Sequence, residues 1–211
     1  LMSYLKIDNI GLLGHSFGAA VAICFAVKYP EKVRELYLVS GGLTEDKIAK
    51  VFKPLYDSKV QALSISELIF KDSIEYHKGH ISANELFRRA VRHQSPLVFY
   101  HWHDRMEEIE SVLARTDYTN LDDSNSSFSD ENIIIRKTKS KLGSISCPTL
   151  MILGQYDMSF PVEFSGVCLR NIPECEMVIV PHAMHFPFID EPEKCLCAIH
   201  EFRKRKVIGV N

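Results

Sequence analysis

The sequence predicts an α/β protein, a mostly parallel sheet with flanking helices and a helical cap inserted between two of its strands. Three observations carry this reading. Short apolar runs of strand type recur at residues 9–13, 35–39, 147–154 and 176–180. A small, apolar, helix-forming stretch separates the first two and stops at Pro30, as the bias before proline predicts. A long block from Leu43 to about Gly143 separates the second and third, and its apolar residues recur at helical spacing.

Each element has its own justification. Residues 3–8 read as the end of a helix leading into the strand at 9–13. The helix from Ser16 to about Tyr29 then leads to the strand at 35–39, which closes on Ser40-Gly41-Gly42. Strand, helix, strand at this spacing implies a parallel βαβ unit with a right-handed crossover. In the insertion, Ile48, Val51, Phe52, Leu55 and Tyr56 form one helical stripe, which Pro54 is expected to interrupt. Ser82-Ala83-Asn84-Glu85 reads as a capping box, with Leu86, Phe87, Ala90 and Val91 on one face of the helix behind it. Ser95-Pro96 is expected to open a further helix, with Trp102, Met106, Ile109 and Leu113 down one side. Residues 116–131, rich in Thr, Asp, Asn and Ser, read as a mobile loop. A helix is expected from Pro161 to Leu169 before the strand at 176–180. A final amphipathic helix at 191–205 ends in Arg203-Lys204-Arg205-Lys206, basic residues that suit a helix C-terminus. The expected division is a core of residues 1–43 and 142–211 and a cap of residues 44–141.

Composition narrows the class. With 46% hydrophobic and 25% charged residues the chain reads as an ordinary soluble globular protein. A formal charge of −2 offers no electrostatic case for binding nucleic acid or an anionic membrane. No apolar run approaches the ~20 residues needed to cross a bilayer. Six cysteines, at 24, 147, 168, 175, 195 and 197, lie in apolar segments without a paired framework. They read as reduced, mostly buried thiols of a cytoplasmic protein. No metal site is expected: Cys195 and Cys197 point different ways on a helix, and His101-Trp102-His103 has no supporting carboxylate or cysteine pattern. No cofactor is expected either.

The chemistry centres on Gly14-His15-Ser16-Phe17-Gly18, which lies between a strand and a helix. That context turns a loose pattern into a nucleophile elbow. Its turn is tight enough to strain the serine backbone, and a Cβ at either glycine is expected to collide with the adjoining strand or helix. The geometry aims the first helical N–H groups, Phe17's first of all, at an oxyanion forming beside Ser16 Oγ. A hydroxyl needs a base to take its proton, and the base needs a third group to orient it. Asp157 lies just past the strand at 147–154, and His185 just past the one at 176–180. Parallel strands bring their C-terminal ends to one sheet edge, so all three residues should meet there. Asp157 has an alternative as a cap for the following helix, and His182 competes with His185. His15 is expected to pack beside the elbow.

These pieces together resemble the α/β-hydrolase fold family, in its serine hydrolase branch of esterases, carbon–carbon bond hydrolases and proline iminopeptidase-like peptidases. The matching segments are Gly14-His15-Ser16-Phe17-Gly18, Tyr29-Pro30-Glu31-Lys32-Val33, Cys147-Pro148-Thr149-Leu150 with Gly154-Gln155-Tyr156-Asp157, and His185-Phe186-Pro187 before Glu191-Pro192-Glu193. The resemblance implies Ser16 as nucleophile, His185 as general base and acid, and Asp157 as orienting carboxylate. It makes the insertion a cap that shapes the substrate site, with His15, Trp102 and Phe186 as candidate substrate contacts. A small-molecule ester or amide is the implied substrate. The alternatives are a proline iminopeptidase-like aminopeptidase, for which Glu107, Glu108 and Glu110 offer acidic groups, and a non-catalytic binding protein. The elbow comes so early that the chain reads as lacking upstream strands and the loop carrying a second oxyanion donor. By itself it is therefore expected to turn over esters weakly or not at all.

Overall fold

A computed structural model of the chain describes residues 2–115 and 137–208. Among the described residues, the strands β1 (Ile10–His15), β2 (Val33–Val39), β3 (Thr149–Gly154) and β4 (Cys175–Val180) form one sheet in the order β1-β2-β3-β4. Every neighbouring pair is parallel. A short helix α1 (Met2–Leu5) precedes β1, and α2 (Phe17–Lys28) crosses from β1 to β2. A 3₁₀ turn (Val162–Ser165) and α7 (Gly166–Asn171) connect β3 to β4; α8 (Pro187–Asp190) and α9 (Pro192–Arg203) follow. The helix expected from Pro161 to Leu169 is thus part 3₁₀ and part α.

The two-residue period of the strands sorts the core into two layers. Leu36, Leu38, Met151 and Leu153 face one side and pack with Ala19, Ile23 and Ala26 of α2 and Val167 and Cys168 of α7. Tyr37, Val39, Leu150 and Ile152 face the other and pack with Cys195 and Phe202 of α9. Both faces of β2 and β3 are covered, which is why their sequences are apolar almost throughout. Buried Glu35 on β2 is the exception. Tyr37 Oη donates to its carboxylate at 2.8 Å, and Arg203 Nε of α9 at 3.0 Å.

The insertion between β2 and β3 includes the helices α3 (Asp46–Ala62), α4 (Ile65–His77), α5 (Ala83–Val98) and α6 (Trp102–Ala114) among the described residues. Three sequence expectations change here. Pro54 does not interrupt α3. It is exposed, as is Lys50 one turn before it, so the carbonyl that loses its N–H partner faces solvent. Only part of the α3 stripe turns inward: Ile48, Phe52 and Tyr56 are half-buried, whereas Val51 and Leu55 are exposed. Ser95-Pro96 does not open a helix but closes α5, because Leu97, Val98 and Phe99 are drawn into the core of the cap. Ser95 Oγ donates to the Val91 carbonyl at 2.8 Å inside that last turn. Of the capping box, the Ser82 half is present, with Glu85 N–H donating to Ser82 Oγ at 3.2 Å, while the Glu85 carboxylate turns to Arg88 and Arg89. The polar loop expected at 116–131 lies outside the described residues.

Three residues of the basic tip also pair with carboxylates on and beside the sheet: Arg203 with Glu35, Arg205 with Glu176, and Lys206 with Glu174 and Glu176. No helix among the described residues is long and apolar enough to cross a membrane.

Candidate active site

Ser16 follows β1 directly and precedes the first residue of α2. Its backbone has φ 54 and ψ −123, a strained conformation for a residue with a Cβ. Three features keep it there. Ser16 N–H donates to the Val39 carbonyl at the end of β2 at 2.9 Å. A Cβ on Gly14 would run into the Gly18 carbonyl and Ala19 Cα, and one on Gly41 into the Ser16 carbonyl. Gly18 departs from the sequence expectation, since a Cβ there would meet nothing within 4 Å.

The ends of β3 and β4 bring in the other groups. Ser16 Oγ lies 2.9 Å from His185 Nε2, and His185 Nδ1 lies 3.0 Å from Asp157 Oδ2 and 3.2 Å from Oδ1. A carboxylate only accepts, so Nδ1 carries the proton and Nε2 presents a lone pair to the serine hydroxyl. The hydroxyl can therefore hand its proton to the imidazole, and the carboxylate stabilises the cation so formed. Asp157 and His185 are both buried. The capping alternative for Asp157 is also satisfied: its Oδ1 accepts from the N–H groups of Ser159 at 2.8 Å and Phe160 at 2.9 Å. One carboxylate thus holds both the following turn and the imidazole. His182 is elsewhere, exposed, with its ring 5.5 Å from that of Tyr100.

The candidate contact residues cluster around the histidine. His15 Nε2 donates to the His185 carbonyl at 2.8 Å, and its ring lies 5.0 Å from His185 and 4.7 Å from Phe186. Burial pulls the His15 imidazole below its ordinary pKa, outweighing that hydrogen bond, so it is neutral at pH 7. Phe186 stacks on Phe99 at 4.7 Å. Trp102 packs against the buried cluster of the cap, as Phe186 does. The N–H of Phe17 heads α2, one of the leading groups that no carbonyl within the helix serves. Beside Asp157, between α3 and the loop after β3, runs a cleft of about 420 Å³ walled by Phe52, Tyr56, Tyr156, Met158 and Met184.

Burial pushes the Cys168 thiol up to about 11 and Cys175 to about 12. No group of His, Cys, Asp and Glu among the described residues is arranged to hold a metal ion.

Sequence reasoning missed the loop's own anchors. His185 N–H donates to the Val98 carbonyl at 3.0 Å, and buried Asp190 accepts from Met184, Tyr100 and His101. The only hint was an acidic residue in an apolar run, Phe188-Ile189-Asp190.

A parallel sheet with helices on both faces and a helical cap between two strands is an α/β architecture that gathers its polar groups at the carboxyl ends of the strands. The chain belongs to the alpha/beta hydrolase fold family, whose model matches residues 1–192. It is 29% identical over 202 residues to a proline iminopeptidase of Saccharolobus solfataricus, covering 92% of this chain and 62% of that protein. It is 26% identical over 187 residues to a 2-hydroxy-6-oxononadienedioate/2-hydroxy-6-oxononatrienedioate hydrolase of Cupriavidus pinatubonensis, covering 88% of this chain and 59% of that one. The chain thus spans only about three fifths of these relatives' length. Among solved structures, an alpha/beta fold family hydrolase from Bacillus anthracis superposes with a TM-score of 0.65 at 17% identity, covering 95% of this chain and 69% of that one.

Proposed function

We propose that the protein is a serine hydrolase that cleaves an ester or amide bond of a small molecule through an acyl-enzyme. The observation that carries this reading is the continuous contact from Ser16 Oγ through His185 to Asp157, at 2.9 Å and 3.0 Å. Ser16 Oγ attacks the substrate carbonyl carbon while its proton passes to His185 Nε2. The Phe17 N–H faces the oxyanion. Collapse of the tetrahedral intermediate breaks the bond to the leaving group, which takes the proton from His185. Water then attacks the acyl carbon as His185 accepts its proton, and the bond to Ser16 Oγ breaks as His185 returns that proton to the oxygen and the acid leaves.

A fluorophosphonate probe tests this directly, because it needs an activated serine and not a particular substrate. Labelling is expected at Ser16 and is lost in Ser16→Ala. His185→Ala should slow it by about 10³-fold or more, whereas His182→Ala should leave the rate within about twofold. Labelling that survives Ser16→Ala sinks the reading.

Within the class, a small carboxylic ester is the leading substrate. An aminopeptidase needs a carboxylate to hold the free amine, and two of the cap's candidates are engaged: Glu108 by Arg105 at 2.8 Å and Glu110 by Arg92 at 2.6 Å. The likeness to a proline iminopeptidase keeps the second reading in play, with Glu107 as its remaining acid. Rates on a short-chain nitrophenyl ester and on proline naphthylamide, compared on one preparation, separate the two.

A further inference from the structure

Asp190 is almost fully buried, 2% exposed, and forms no ion pair with a Lys or Arg among the described residues. An isolated carboxylate in such a place is costly unless hydrogen bonds replace its hydration. Three backbone N–H groups do so, and they come from two different parts of the molecule. Tyr100 and His101, in the corner just before α6, donate to Oδ1 at 2.9 and 3.1 Å. Met184, immediately before His185, donates to Oδ2 at 2.9 Å. The same corner of the cap grips the next residue too, since Val98 at the end of α5 accepts the His185 N–H. From the other side His15 Nε2 holds the His185 carbonyl. The backbone carrying the imidazole is therefore held by the α5–α6 corner and by β1, as well as by the Met184–Asp190 bond within its own loop.

We propose that Asp190 is a positioning residue: it fastens the histidine loop to the α5–α6 corner and so holds His185 Nε2 at the Ser16 hydroxyl. The proposal rests on the hydrolase reading above. Asp190 touches no reacting atom, and its effect passes through Met184 and the backbone of His185.

The Asp190→Asn variant separates this role from a purely structural one. Asparagine can keep its oxygen on the Tyr100 and His101 N–H groups, but its NH₂ then faces the Met184 N–H, donor to donor. The bond to α6 survives and the bond to the histidine loop is lost. The fluorophosphonate inactivation constants are read per titratable site in wild type, Asp190→Asn and Ser16→Ala. The expected result is a limiting rate about 10- to 100-fold lower in Asp190→Asn, with the probe's binding constant unchanged. The downfield proton signal of His185 Nδ1–H should be broadened or absent in the same variant. A limiting rate within twofold of wild type, with that signal intact, overturns the proposal. Where Asp190→Asn does not fold, hydrogen exchange on the wild-type protein decides. Met184, Tyr100 and His101 should exchange with a common protection, and Met184 exchanging at loop rates while the other two stay protected overturns it. Wild-type protein that shows no Ser16-dependent labelling overturns the hydrolase reading itself, an outcome distinct from both.

Discussion

Ser16 holds a backbone conformation that costs an L-residue of order 1–3 kcal/mol, and small neighbours make the turn possible. Gly14 is required by space, because a methyl group there would meet the backbone of Gly18 and Ala19. Backbone cannot swing aside as a flexible side chain can. Gly14→Ala should lower stability by at least about 1–3 kcal/mol and slow fluorophosphonate labelling as the elbow opens. Gly18→Ala enters open space inside a helix, where alanine is the better helix former. It should be neutral or stabilising by up to about 1 kcal/mol. Chemical denaturation of the two variants side by side checks the pair, and equal losses would refute the distinction. The G-x-S-x-G pattern made both glycines look equally necessary; only the packing around each Cβ position separates them.

At the scale of elements, α4 and α5 are joined by polar contacts as well as by apolar ones. Asp72 of α4 accepts from Arg89 Nη1 at 3.0 Å and lies 2.8 Å from His93 Nε2 of α5. Burial raises the Asp72 carboxyl, but the hydrogen bonds from His93 and Arg89 together outweigh it and leave its pKa below the ordinary value. The sign follows from linkage. A carboxyl depressed in the folded state stabilises the fold above its unfolded pKa of about 4, and the contribution is lost as pH falls through the lower, folded value. Asp72→Asn should therefore lower the denaturation midpoint at pH 7, and the gap to wild type should close below about pH 4. A gap that is the same at pH 7 and pH 3 contradicts this. The amphipathic spacing of α5 and its Ser82 N-cap were legible as sequence. The Asp72 partnership was not, because its members come from two helices whose relative placement no local pattern encodes.

For the whole molecule, the important join is between cap and sheet. The buried cluster of the cap, Ile65, Leu97, Val98, Phe99 and Ile109, packs against Phe186 and Ile189 from the histidine loop. The cap core is thus completed by residues that belong to the strand-end loop, and the two parts should unfold together. Leu97 is 2% exposed, so Leu97→Ala should cost about 2–5 kcal/mol. In calorimetry it should shift one transition without splitting it, and fluorophosphonate labelling should fall in step. Two resolved transitions in the variant, with labelling retained after the first, would falsify this coupling.

The amino-acid sequence by itself determined the local and periodic features. These are the strand–elbow–helix at Ser16, a mostly parallel sheet, the helical insertion, and the delivery of Asp157 and His185 to one sheet edge. Each follows from short-range sterics and from residue spacing, which act along the chain. The tertiary structure alone decided that Pro54 and Pro96 stay inside helices and which carboxylates the basic tip meets. It also decided that Asp190 bridges the cap and the histidine loop. Those outcomes depend on which surfaces are buried against each other and on carboxylates finding N–H groups from distant segments. Such pairings exist only once the sheet and the cap have come together.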